Sequence, residues 1–235
     1  MNMPIRIASR NPPLDSLTEW VFLDLETGEG LQTALADIDI VLHAATSPMK
    51  KSVQIDVQGT KKLLKACKEN RIKHFLFPSI VGIEALPMAY YQAKLEAESI
   101  IKDSGVPYTI LRATQFHSLI DRLFQKLNKL PISVLPTQLK CQSVDVTEVA
   151  TTLLSLCHHA PQGHIKDFGG PEILTLKEMY EIWKKHQRKT SLLIPLPHLP
   201  LPLFKAMKEG KNTNPEQKSG NKTWSEWIYE TYARL

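Results

Sequence analysis

Tyr90 and Lys94 stand four residues apart in the stretch AYYQAKLEAE, residues 89 to 98. On a helix both would lie on one face, with Cβ atoms about 6 Å apart. A phenol of ordinary pKa near ~10 is a poor proton donor or acceptor at neutral pH, and an ammonium beside it would favour the phenolate and lower that value. The same lysine has the reach to hold the hydroxyls of a bound ribose. Ser79 ends a buried apolar run upstream, where its hydroxyl could bond a substrate carbonyl that Tyr90 protonates as hydride arrives. Two exposed positions on an ordinary helix share this spacing, so the surrounding elements must separate the readings.

Those elements alternate. Apolar runs of strand length fall at 5–9, 20–25, 39–45, 74–80 and 106–113, with helix-like segments at 31–37, 52–70 and 90–104. This is the pattern of an α/β chain with a doubly wound parallel sheet. Val57, Leu64 and Cys67 share the apolar stripe of the second helix, and Gly105 supplies a left-handed stop for the third. After residue 113 the pattern loosens into helices expected at 117–129, 146–158, 176–186 and 224–232, with short strands near 132–143. Thr175 and Glu178 form a capping box. We therefore expect a core over residues 1–115 and a smaller substrate-side region over 116–235, laid over one end of the sheet.

In an open parallel sheet, ligands bind outside the carboxyl ends of the strands. The residues there are Ser9 and Arg10, Asp24 and Leu25, Ala44 to Thr46, Ser79, and the run from Arg112 to His117. Arg10 could clamp a phosphate bidentately, or be a solvated strand end. Ala44 and Ala45 could admit a ligand close to the backbone, or merely pack tightly. Asp24 could accept from a base or ribose, or begin a turn.

The run from the strand carrying Ser79, through YYQAKLEAE to GVPYTILRATQFH, resembles the NmrA-like branch of the atypical short-chain dehydrogenase/reductase superfamily. SVDVTEVA, FGGPEILTLKEM and TWSEWI extend the resemblance along the chain. It implies a Rossmann-type domain binding a nicotinamide dinucleotide, NADP(H) before NAD(H) because of Arg10. By the same resemblance Tyr90 and Lys94 match the family's YxxxK pair, and Thr114, Gln115, Phe116 and His117 line the nicotinamide end; Ser79, read from its strand-end position, would assist the pair. Ser9, Arg10, Asp24, Leu25, Ala44, Ala45, Thr46, Lys94 and Thr114 would hold cofactor, and Gln115, Phe116 and His117 would meet substrate. The implied activity is reduction of a small carbonyl or quinone-like acceptor. The alternatives are a non-catalytic dinucleotide-binding redox sensor and a truncated, inactive form.

One departure is large. A Rossmann unit opens with a strand, a G-x-G-x-x-G turn and a helix that receives the pyrophosphate, and none of these precedes Ile5. MPIRIASRNP matches the family's second strand, so roughly thirty residues, one β-α-β unit, are unmatched. Gly28-Glu29-Gly30 is the nearest glycine cluster, and it lacks the third glycine. The unmatched strand is central in the order 3-2-1-4-5-6, and its neighbours would keep unpaired edges. Either the chain is a truncated form, the reading favoured here, in which case no cofactor is held if the loss is disabling, or the remaining strands close the gap.

Composition narrows the partners. The 43% hydrophobic and 23% charged content is that of an ordinary globular protein with a sizeable core. The net charge of +5 is spread along the chain, and its one dense run, KKHQRK at 184–189, lacks interleaved aromatics, which argues for a solvated helix end over nucleic-acid binding. The apolar stretch LLIPLPHLPLPLF, 192–204, is broken by prolines and too short to span a membrane, so it is expected as an extended loop. Cys67, Cys141 and Cys157 lack metal-like or disulfide spacing, which suits a reducing cytoplasm. His158, His159 and His164 read as a solvated helix end, not a metal site. A small-molecule substrate is the expected partner.

Overall fold

The computed structural model describes residues 4–14, 17–47, 51–187, 191–196 and 200–233. In chain order come β1 (Arg6–Ser9), β2 (Glu19–Phe22), α1 (Leu31–Leu35), β3 (Ile40–Leu42), a π-helix (Val53–Gly59) and α2 (Thr60–Glu69). Next are β4 (His74–Ile80), α3 (Ala89–Asp103), β5 (Tyr108–Ala113), α4 (His117–Leu127), β6 (Ile132–Leu135), β7 (Lys140–Cys141) and α5 (Val146–Leu156). The chain continues through β8 (Gly163–His164), β9 (Leu174–Thr175), α6 (Leu176–Lys184), β10 (Leu192–Pro195), α7 (Pro202–Glu209) and α8 (Trp224–Tyr232).

β3, β4, β5 and β8 form a parallel sheet in that order, covered on both faces as parallel sheets require. Phe75 and Phe77 of β4 point to the side where Leu63, Leu64 and Cys67 of α2 and Ala97 and Ile101 of α3 pack. Leu76 and Leu111 point the other way, against Val149, Leu153 and Leu156 of α5. Each fully buried Phe or Leu contributes about 1.5–3 kcal/mol through removal from water. Residues beyond 116 thus supply both α5 and β8 to this sheet. A third cluster joins α4, α6 and α8 around Phe124, Tyr180, Trp183 and Trp224. Asp121 ties it together, accepting from Trp183 Nε1 at 2.7 Å and the Tyr232 hydroxyl at 2.6 Å. His186 of the KKHQRK run lies just past the end of α6, and Arg188 and Lys189 lie outside the described residues.

The sheet is interrupted. β1 and β2 pair in parallel with one another, and among the described residues no backbone hydrogen bond joins β1 to β3. The strands at hand do not close on one another.

Two local expectations need correction. The segment 52–70 is not one α-helix: its first part winds as the π-helix, and Asp56 points inward to accept from the Ser47 N–H at 2.9 Å. The run 192–204 is not simply a loop. Leu192–Pro195 pairs in parallel with Ile132–Leu135 as β10, residues 197–199 lie outside the described residues, and Pro202 opens α7, where its missing N–H costs nothing.

Candidate active site at the strand ends

α3 carries Tyr90 and Lys94 on its N-terminal turns, the loop after β3 carries Thr46, and the π-helix carries Asp56. These four meet. The Thr46 hydroxyl lies 2.5 Å from Asp56 Oδ1 and 3.1 Å from the Tyr90 hydroxyl. Thr46 has one proton and a carboxylate can only accept, so Thr46 donates to Asp56 and Tyr90 donates to Thr46. Lys94 Nζ is 3.5 Å from Asp56 Oδ1 and 4.3 Å from the centre of the Phe77 ring. The arrangement is a hydroxyl chain ending on a buried carboxylate, with a buried ammonium beside it.

The electrostatics differ from those expected of a bare Tyr–Lys pair. Burial raises the Tyr90 pKa; the Thr46 bond opposes this, and the Asp56 charge adds to it. Lys94 itself is pushed down, burial outweighing the support of Asp56 and Glu98. Tyr90 is therefore held as a neutral phenol that keeps its proton.

His43, at the end of β3, backs the cluster. Its Nε2 is 2.9 Å from Thr60 Oγ1, and Thr60 spends its own proton on the Asp56 carbonyl at 2.7 Å, so Nε2 carries the hydrogen. Burial, with the Lys94 charge adding, lowers its pKa to about 3. The unfolded chain takes up this proton near the ordinary value of 6.5 while the folded chain does not until about 3. The neutral ring's stability is thus fully present above 6.5 and lost as pH falls toward 3. We expect unfolding free energy to drop through this window by up to about 1.4 kcal/mol per pH unit on this account. Urea titrations of the protein and of His43→Gln at several pH values check this, the variant giving the flatter profile.

The other sequence-selected residues lie as follows. Ser79 is buried beside the Glu98–Arg112 pair, near enough for its hydroxyl to help hold the Glu98 carboxyl low. Burial alone would raise Glu98, but two bonds from Arg112, at 2.9 and 2.7 Å, outweigh it and hold the carboxyl low. No hydrogen bond joins Ser79 to Tyr90. Ser9 accepts from Trp20 Nε1 at 3.0 Å and donates to the Asn11 carbonyl at 2.6 Å. Arg10 is exposed beside it, with no hydrogen bond or ion pair among the described residues. Asp24 caps a turn by accepting from the Glu26 N–H at 2.8 Å, and Leu25 packs in the core. Ala44 and Ala45 are exposed.

Past β5, the side chains face inward. Thr114 Oγ1 accepts from the Gly170 N–H at 3.1 Å, Gln115 donates to the Asn212 carbonyl at 3.1 Å, and Phe116 packs against the α5 cluster. His117 is buried, with Nε2 3.1 Å from the Lys222 carbonyl and Nδ1 2.8 Å from Ser143 Oγ. A carbonyl only accepts, so Nε2 carries the proton and Nδ1 takes the Ser143 hydrogen. The ring stacks obliquely on Trp224 and Trp227 at 5.7 Å. Cys67, Cys141 and Cys157 are free and buried, the first two thiols pushed up to about 12 by burial. Among the described residues no cluster of ligating side chains could hold a metal, and no helix is long and apolar enough to cross a membrane.

Asp56 went unread from the sequence. Its signal is an acidic residue four positions before Thr60 on the stripe that continues through Leu63, Leu64 and Cys67, where only apolar side chains are expected. The Gly28–Gly30 cluster is structural. Gly30 has φ +85°, and a Cβ there would lie 2.0 Å from the Phe22 carbonyl oxygen, so it serves the close packing of the turn on β2.

Over 108 residues the chain is 32% identical to the photosystem II assembly factor Ycf39 of Cyanophora paradoxa, covering 43% of this chain and 34% of that protein. The chain spans between a third and a half of the length of such curated relatives, 34% and 45% in two of them. Among solved structures, a nucleoside-diphosphate-sugar epimerase from Staphylococcus aureus superposes with TM-score 0.73 at 16% identity, covering 95% of this chain and 89% of its own. An NADPH-dependent quinone oxidoreductase from Escherichia coli, complexed with NADPH, gives TM-score 0.74 at 15% identity, with 92% and 84% covered. The fold is Rossmann-like. The family model described as NAD(P)H-binding matches residues 5–159, and the chain belongs to that family.

Proposed function

We propose that this protein is an NAD(P)H-dependent oxidoreductase of the atypical short-chain type, reducing a small carbonyl or quinone-like acceptor. The observation that carries the reading is the Tyr90–Thr46–Asp56–Lys94 arrangement at the carboxyl ends of the strands. Two ends of that edge fit a nicotinamide dinucleotide: the uncommitted Arg10 guanidinium at one, and Tyr90 with Lys94 at the other. No glycine-rich turn opening a long helix stands between them among the described residues, so the phosphates have no preformed backbone cradle there. When bound, the dinucleotide supplies hydride to the acceptor. Tyr90, kept neutral by burial, gives its proton to the developing alkoxide and can recover one through Thr46 and Asp56. Lys94 holds the ribose hydroxyls, and Ser79 steadies the acceptor oxygen.

Arg10 carries the preference for NADP(H) in this reading, through a charge-assisted contact to the additional phosphate. Arg10→Ala is expected to weaken NADPH roughly tenfold and NADH less than twofold, about the 1.4 kcal/mol that one exposed charged contact supplies. Calorimetric titration of both dinucleotides checks this. The reading as a whole is tested by following NADPH oxidation over a panel of carbonyls and quinones. Steady turnover on any member supports it. A second reading, a dinucleotide-binding regulatory protein without turnover or an inactive form, rests on the interruption of the sheet beneath this edge. Saturable binding with no turnover anywhere on the panel would favour it.

A further inference from the structure

β6 and β10 are short parallel strands whose side chains alternate between two faces. Inward, Ser133 is 0% exposed, and Leu135 and Leu193 join the cluster around Phe124, Tyr180 and Trp183. Outward, the registered pair Ile132 and Leu192 is 48% and 65% exposed, and the pair Val134 and Ile194 is 46% and 43% exposed. A strand face turned to water ordinarily alternates to polar residues. This one sets four aliphatic side chains side by side, with Leu130, 57% exposed, just before them. An apolar patch of this kind marks an interaction site.

A second observation concerns charge. Residues 122–144 and 182–208, the two segments that contain β6 and β10, carry ten lysines and arginines and no Asp or Glu, although the whole chain has a net charge of only +5. Among the described residues, Lys126 and Lys129 are exposed at the end of α4, and Lys184 and Lys185 at the end of α6. Hydrogen bonds bring the α4 end to the strands: Ser133 Oγ donates to the Leu127 carbonyl, and the Ser191 N–H to Asn128 Oδ1, each at 2.8 Å. On the other flank, Lys177 and Lys184 line an open depression of about 560 Å³ together with Leu192, Thr137 and Ser191. Glu181 stands between the two lysines on α6 and lines it as well, so the depression keeps one net positive charge.

We propose that this face docks the protein on an anionic membrane surface, lying on the bilayer without crossing it. The four aliphatic side chains enter the headgroup boundary, and the lysine stems lie along the apolar surface while their ammonium groups reach lipid phosphates. The depression beside Leu192 seats one phosphodiester headgroup, whose single negative charge matches its net positive one. An apolar centre flanked by cations on both sides fits such an interface in both of its terms. A second copy would set like charges face to face. Nucleic acid would leave the aliphatic centre unused, since bases stack on aromatic side chains and none stands among these four.

The test is co-sedimentation of the 235-residue protein with vesicles of phosphatidylcholine, alone or mixed in equal parts with phosphatidylglycerol. Binding to the mixed vesicles is expected to be at least roughly tenfold tighter and to weaken as salt is raised. Leu192→Asp is expected to weaken it by about tenfold with an unchanged urea midpoint. The double variant Val134→Thr with Ile194→Thr, which keeps β-branched side chains in the strands, should weaken it as well. Lys184→Glu should lose several-fold more affinity than Lys65→Glu, an equal charge change at an exposed position of α2. A polarity-sensitive dye on Ile194→Cys should shift to the blue on mixed vesicles, and the same dye on Lys65→Cys should not. Equal affinity for both kinds of vesicle, no dye shift, or equal losses in Lys184→Glu and Lys65→Glu would overturn the proposal. Polyglutamate or DNA bound as tightly as the mixed vesicles would overturn it in favour of an acidic macromolecule, and vesicle-free dimerisation abolished by Leu192→Asp in favour of a second copy. None of these readouts depends on dinucleotide binding or turnover, so this proposal and the oxidoreductase reading fail separately.

Discussion

Tyr90→Phe is expected to lower turnover by about 10²–10⁴-fold while leaving the dissociation constant for NADPH within about twofold. The substitution removes one oxygen and its proton and keeps the ring that packs beside Tyr91 at a centroid distance of 5.7 Å. Thr46 loses its donor but keeps its bond to Asp56, so no buried group is orphaned and the fold should be unchanged. The pH profile sharpens the test. Burial raises the Tyr90 pKa, so a proton-donor role predicts a rate that stays flat through neutrality and declines only above the ordinary phenol range. A rate that rises as a phenolate forms at lower pH would assign the opposite role. Turnover equal to that of the parent would remove Tyr90 from the chemistry.

The second large effect is on stability. The side chains of Asp56 and Lys94 are 0% and 4% exposed, so each depends on the other for tolerating burial. Asp56→Leu fills similar space but leaves the ammonium without its carboxylate, and loss of one partner of a buried pair costs about 3–5 kcal/mol. Lys94→Met should cost less, because Asp56 retains Thr46 and the Ser47 N–H. The double variant should recover most of the loss, as apolar replacement of a whole buried pair is often neutral. Urea denaturation of the four proteins gives the coupling directly. The sign with pH is also fixed. Lys94 is lowered in the folded state, so its contribution improves as pH rises toward the unfolded lysine value, and Asp56→Leu should gain stability on going from pH 7 to 9. Additive single effects with no pH trend would mean that the two charges act independently.

Much of the scaffold is readable in the sequence. HFLFPSI is a strand because seven consecutive positions suit burial on both faces, and Thr223 and Thr175 open α8 and α6 with capping boxes legible as T-x-x-E. Gly105 ends α3 region with φ +74°, as its lack of Cβ allows. The π-helix is not readable, because the widened turn answers a tertiary demand, the bonds from Thr46 and Ser47 to Asp56, that no local propensity encodes. For the same reason the YxxxK spacing locates Tyr90 and Lys94 but says nothing of the partner that sets their charge states. His117 falls at a strand end, where ligands gather, yet two hydrogen bonds and two indoles from a helix more than a hundred positions later enclose it. Such long-range partners are invisible to spacing.

The most direct measurement is a titration of the protein with NADPH, read by energy transfer from tryptophan, with Trp20 adjoining Ser9 at the candidate cofactor edge. The account predicts saturable binding, weakened by Arg10→Ala. A folded chain showing no saturation would contradict it and leave Tyr90, Thr46, Asp56 and Lys94 as a structural cluster without a cofactor to serve.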